Sequence, residues 1–130
     1  MAYKLIIPEK DVLTVGKYKN DKGNTECVTF VQKATGAPVT ALWKKGVKVG
    51  EAKSGGIVRG TAIATFDDKG KYPTDADGQH AAVYLYHDAS GITVLDQWRA
   101  QGGVKQRVIR FNNQTATSRS NQAETFYVIE

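Results

Sequence analysis

The chain has 130 residues, 41% hydrophobic and 24% charged, with thirteen glycines. That balance predicts one domain over residues 1–130, able to bury roughly two-thirds of its unfolded surface, and argues against a disordered chain. The single cysteine excludes an internal disulfide and a zinc site built from cysteines, while eighteen Lys and Arg against thirteen Asp and Glu leave a net charge of +5.

Residues 1–23 mix the short apolar run Leu5-Ile6-Ile7 with polar turns, and predict a segment that wraps the surface. Pro8, Glu9 and Lys10 interrupt that run too early for a secretory signal. No apolar stretch approaches membrane-spanning length. The expectation is synthesis in the cytoplasm without a signal peptide, with any export by a non-Sec route.

The stretch Gly23 to Gly36 predicts a helix. Asn24 or Thr25 can cap it, Glu26 puts a negative charge in its first turn, and Gly36 can take the left-handed C-terminal position ahead of Pro38. Cys27, Phe30, Val31 and Ala34 recur at helical spacing and form an apolar stripe, with Glu26, Thr29 and Lys33 facing away. Cys27 thus sits in the first turn, where unpaired N–H groups and the helix dipole lower a thiol pKa. The plainer expectation is that a lone cysteine on such a stripe is a small buried hydrophobe.

Thr40 to Lys45 predicts a second short helix ended by Gly46, with Leu42 and Trp43 on its buried side. A loop rich in Lys and Gly follows, through Ser54-Gly55-Gly56. Lys44, Lys45, Lys48, Lys53 and Arg59 oppose only Glu51 between residues 44 and 59. Such a run is a solvated face by default, or a means of steering toward an anionic polymer such as cell wall. Aromatic interleaving is thin there, so no nucleic-acid partner is expected.

From residue 57 the period becomes strand-like. Gly60 to Phe66 predicts a strand, Asp67 to Gly78 a polar loop, and Asp75-Ala76-Asp77-Gly78 a turn and not a calcium loop. His80 to His87 and Ile92 to Trp98 predict a hairpin through Asp88-Ala89-Ser90-Gly91. Arg107 to Phe111 and Thr125 to Ile129 add two strands. Helices first and then strands predict an α+β fold, with N-terminal helices packed on an antiparallel meander sheet of 4–6 strands.

A nucleophilic thiol needs a base, and the base needs a group to orient it. His80 opens a strand where a helix N-terminus can meet it. His87 has the opposite parity and is expected to face solvent. Pairing Tyr86 with Ile92, Tyr84 with Val94 and Ala82 with Asp96 puts Asp96 on the face of His80. A register shift of one puts Gln97 there instead, so Gln97 is the alternative third residue.

The segments Glu26-Cys27-Val28-Thr29-Phe30-Val31-Gln32, Gly78-Gln79-His80-Ala81-Ala82-Val83-Tyr84-Leu85 and Val94-Leu95-Asp96-Gln97-Trp98 resemble the small bacterial papain-like peptidoglycan hydrolases of the NlpC and CHAP types. The short layout is closer still to the amidase effectors of type VI secretion. The resemblance spans roughly residues 23–98. It departs where Val28 follows the cysteine in place of a small Ser, and Glu26 precedes it in place of Asp.

The resemblance implies a papain-like cysteine amidase or endopeptidase acting on peptidoglycan peptides, with Cys27, His80 and Asp96 catalytic. Glu26, Trp98 and Tyr84 are substrate-binding candidates. No metal or organic cofactor is implied. The implied partners are the peptidoglycan peptide and a cognate inhibitor protein, with delivery into a target periplasm. A non-catalytic domain that holds an anionic glycan or nucleic acid, and a cytosolic thiol hydrolase of another amide, are the alternatives.

Overall fold

The computed structural model describes residues 1–75 and 78–130. Two helices, α1 (Glu9–Val15) and α2 (Cys27–Thr35), precede six strands: β1 (Lys45–Lys48), β2 (Ala62–Thr65), β3 (Ala81–His87), β4 (Gly91–Asp96), β5 (Lys105–Arg110) and β6 (Phe126–Ile129). They form one antiparallel sheet in the order β1-β6-β2-β3-β4-β5. Strands β2 to β5 are the expected meander, and β6 returns to pair with β2. The architecture is α+β. Among the described residues, no helix is long and apolar enough to cross a membrane.

Helix α2 ends as its sequence dictates. Gly36 takes the left-handed conformation at φ 76°, and its N–H bonds the Gln32 carbonyl. Phe30, Val31 and Ala34 are fully buried against Val83, Leu85 and Leu95. Alanines 62, 64 and 81 on the sheet let the helix come close. Thr29, expected to face away, is buried at 7% exposure. The N-terminus also differs from expectation. Glu26 is the cap residue in extended conformation, with no side-chain capping bond. The Thr25 hydroxyl is turned toward the Trp98 carbonyl at 3.4 Å, and the Asn24 N–H bonds the Asn20 side chain.

The first 23 residues do more than wrap. They contain α1, whose Val12 is fully buried, and a bridge from Lys4 to Thr61 just ahead of β2. The Arg59 fork holds Glu9 of α1 at 2.7 and 2.9 Å. The second helix expected at residues 40–45 is only a 3₁₀ turn over Thr40–Leu42. Trp43 is buried, but Leu42 is 62% exposed. The chain cannot stay helical because the backbone of Lys44 exchanges two hydrogen bonds with Glu130, which starts β1 where a loop was expected.

A second apolar layer covers the other face of the sheet. There Tyr84, Ile92, Val94, Ile109 and Phe126 pack under Val49 and Ala123. Strand β4 is buried along its whole length, because both faces are covered. The β3–β4 hairpin keeps Tyr84 opposite Val94, but a bulge moves Tyr86 onto Thr93 and His87 onto Ile92. The register expected for Tyr86 is thus one residue out, on the turn side of the bulge only. The turn expected at 75–78 includes Ala76 and Asp77, which lie outside the described residues.

Candidate active site

Cys27 is the first residue of α2, and three layers of backbone bonding fix where it begins. Gln97, next to Asp96 on the chain but on the helix side of the sheet, donates to the carbonyls of Glu26 (2.9 Å) and Tyr18 (2.7 Å). Its Oε1 accepts from the Tyr18 N–H at 3.2 Å. Thr25 is tied to Trp98, and the Phe30 N–H bonds the Glu26 carbonyl. Gln97 does not touch His80 in this bonding pattern. It clamps the entry to the cysteine helix.

His80 lies just before β3, at the end of the sheet that the helix N-terminus reaches. Thr65 of β2 holds its backbone: the His80 N–H bonds Oγ1 at 3.1 Å, and the Thr65 N–H bonds the His80 carbonyl at 2.9 Å. The imidazole Nε2 donates to Asp96 Oδ2 at 2.7 Å, in a pair hidden from solvent. That leaves Nδ1 for the thiol. Asp96 is fully buried, and among the described residues its Oδ1 has no hydrogen-bond partner.

The electrostatics follow from this row. Burial pushes the Cys27 thiol up, but the hydrogen bond and charge of His80 outweigh it, with the Ala81 N–H and Tyr72 hydroxyl assisting. The net position is below the ordinary thiol value. Burial likewise works against charge on His80, yet Asp96 and Cys27 raise it to about 9. Each group thus favours the charged form of the other: the imidazolium lowers the thiol and the thiolate raises the imidazole.

Two contacts had no counterpart in the sequence reading. The Tyr72 hydroxyl, from the loop after β2, is 3.9 Å from the Cys27 sulfur, and its ring packs edge-on against Trp43. Arg107 of β5 bonds Asp96 Oδ2 through Nε at 2.7 Å, and its guanidinium lies 5.1 Å over Trp98. Arg107 was in principle legible: it pairs with Val94, two residues from Asp96 on the same face. Tyr72 carries no periodic signal, because a loop has no fixed face.

A cleft of about 420 Å³ opens beside this row, bounded by Cys27, His80, Gln79, Trp98, Arg107 and the 118–121 turn. Gly78 lets that turn come close. At its φ of 120°, a Cβ would stand 2.5 Å from Ser118 Oγ and 2.7 Å from the Arg119 nitrogen.

The profile of the family described as Domesticated amidase effector 2 matches residues 4–129. This chain belongs to that family. It is 36% identical over 115 residues to a type VI secretion amidase effector 2 protein of Salmonella typhi, covering 81% of this chain and 84% of that one. It is 37% identical over 110 residues to the domesticated amidase effector 2 of Ixodes scapularis, covering 81% and 70%. The solved structure of a type 6 secretion amidase effector 2 superposes with a TM-score of 0.75 at 31% identity, covering 92% of this chain and 91% of that one.

In this member of the amidase effector 2 family, the three residues weighed for substrate contact separate. Trp98 lines the cleft. Glu26 adjoins Cys27, but its carboxylate is held by Asn20 at 3.3 Å. Tyr84 is 1% exposed: it shares the sheet face of His80 and Ala82, but lies four residues farther along, under the apolar layer of Val49 and Ala123, and does not line the cleft. Its hydroxyl donates to His87 Nδ1 at 2.6 Å. His87, expected to face solvent, is half-buried; its Nε2 donates to the Ala52 carbonyl at 2.9 Å, so both ring nitrogens are engaged.

Proposed function

We propose that the protein is a peptidoglycan amidase acting as an antibacterial effector, with Cys27 as nucleophile, His80 as acid and base, and Asp96 orienting His80. The observation that carries this reading is the fully buried Asp96 bonded at 2.7 Å to His80, the group that holds the Cys27 thiol at the helix N-terminus below its ordinary value. Membership of the amidase effector 2 family supports the reaction class. The name of the Salmonella typhi relative supports delivery by type VI secretion.

The thiolate attacks the carbonyl carbon of a peptide amide, and the carbonyl oxygen takes up the negative charge. The backbone N–H of Cys27 and the Tyr72 hydroxyl are the donors for that oxyanion. His80 then gives its Nδ1 proton to the departing amine nitrogen, leaving a thioester. Water, losing a proton to Nδ1, hydrolyses the thioester and restores the thiolate. Asp96 keeps Nε2 protonated throughout, which fixes the tautomer.

In a producing cell such an activity calls for a cognate inhibitor protein that closes the cleft. A purely binding domain has no use for a thiol held below its ordinary pKa. The test is digestion of purified sacculi by the wild type and by Cys27→Ala, read by mass analysis of released fragments. New amine and carboxyl termini at one amide, formed only by the wild type, are expected. Equal release by Cys27→Ala, or none by the wild type on any sacculus, overturns the reading.

A further inference from the structure

We infer that Arg107 is also a substrate-binding residue, which holds a carboxylate of the peptide beside the scissile amide and so makes the site selective for anionic peptides. The inference rests on the amidase reading above and names a feature of its substrate. It starts from the bonding capacity of one side chain. A guanidinium carries five N–H donors in a fixed plane and no acceptor. Arg107 spends Nε–H on Asp96 and one N–H of its η1 nitrogen on Asn121 Oδ1 at 3.3 Å. Its η2 nitrogen lies 3.4 Å from His80 Nε2, but that nitrogen already donates to Asp96 and cannot accept. Three N–H groups are left without an acceptor among the described residues, on a side chain that lines the cleft and is 23% exposed.

The setting favours a carboxylate for three reasons. Among the described residues, the cleft wall is made by Cys27, Gln79, His80, Trp98, Arg107 and the serines and asparagine of the 118–121 turn, with no acidic side chain. Of the carboxylates around it, Asp96 is fully buried behind the wall, Asp75 is paired with Arg119 and Glu26 is held by Asn20. Stacking on Trp98 and the Asp96 bond hold the guanidinium plane in place, so little conformational freedom is lost when a ligand docks. A planar fork matches a carboxylate through paired charge-assisted bonds. Arg107 touches the Asp96–His80 pair directly, so the docked carboxylate sits close to the group that protonates the leaving amine.

The experiment uses synthetic peptides matched in pairs, one with a free carboxylate on the residue flanking the cleaved amide and one with a carboxamide there. For the wild type, kcat/KM is expected to fall at least tenfold from carboxylate to carboxamide, as a charge-assisted bond becomes a neutral one. Arg107→Gln is expected to lower both rates, since Asp96 loses its partner, but to bring their ratio near one. Arg107→Lys, which keeps charge without the fork, should retain part of the ratio. Equal rates by the wild type, or an unchanged ratio in Arg107→Gln, overturn the inference. Binding of the same pairs to Cys27→Ala is measured in parallel. Should no peptide be turned over, the amidase reading fails separately, and the binding ratio alone decides the carboxylate site.

Discussion

Gln97 Nε2 donates to the Glu26 carbonyl at 2.9 Å, so the residue beside Asp96 on the chain sets the position from which Cys27 starts. Neighbours on β4 and its extension therefore serve the two halves of one site. Asp96 faces the imidazole, and Gln97 faces the helix.

Gln97→Ala is accordingly expected to be far from silent. It strands both backbone groups of the buried Tyr18 and removes one of the two bonds to the Glu26 carbonyl, costing about 1–3 kcal/mol of stability. Turnover should fall while its pH profile keeps its shape, because the charged groups are untouched. Thermal unfolding and a pH–rate series check this, and an unshifted melting temperature contradicts it.

Asp96→Asn should act on the charges instead. In the wild type, activity is expected to rise as Cys27 deprotonates below its ordinary pKa, and to fall as His80 loses its proton near 9. Removing the carboxylate lowers the imidazole pKa and raises the thiol pKa, so the window narrows from both sides. We expect a rate loss of about 10² or more, with KM little changed. The pH dependence of Cys27 alkylation measures the thiol directly; a profile identical to the wild type rules out this role for Asp96.

Cys27→Ala and His80→Ala should each abolish turnover and leave the protein folded, since the thiol stands at the margin of the apolar layer formed by Phe30, Val31 and Ala34. Circular dichroism with a sacculus-digestion assay checks both at once. Residual wild-type turnover in either variant removes that residue from the mechanism.

Tyr72→Phe separates two roles of one hydroxyl. Its bond to the sulfur helps to lower the thiol pKa, so the variant should alkylate with a slightly higher midpoint. If it also donates to the oxyanion, turnover should drop by about 10²-fold and not recover at higher pH, where the thiolate is restored. Full recovery at alkaline pH leaves only the thiolate role.

The basic run is less uniform than its composition implied. Arg59 is committed to Glu9, and Lys45 lies over the Tyr127 ring, 3.4 Å from the Asp67 carbonyl. Reversal of Lys44 and Lys53 should weaken binding to whole sacculi at low salt. The effect should shrink as added salt shortens the screening length below about 10 Å. Unchanged binding at low salt leaves these lysines as a solvated face.

What the sequence determined by itself was local. The 27-30-31-34 stripe and Gly36 specify α2, and the alternation on either side of Asp88–Gly91 specifies the β3–β4 hairpin. Strand parity also brought Asp96 to the face of His80, because pairing near the Asp96 end is unaffected by the bulge between Tyr84 and Tyr86. Long-range pairing decided the rest. Strand β1 exists only because β6 returns beside β2 and satisfies its backbone, and the 40–45 segment is pulled out of a helix for the same reason. α1 shows no sustained periodicity, and its seven residues are held by Val12 burial and the Glu9–Arg59 pair. Arg107 and Tyr72 meet the site from β5 and from a loop. Which side chains complete a site is a question of what the folded surfaces bring within bonding distance, and periodicity along the chain carries no information about that.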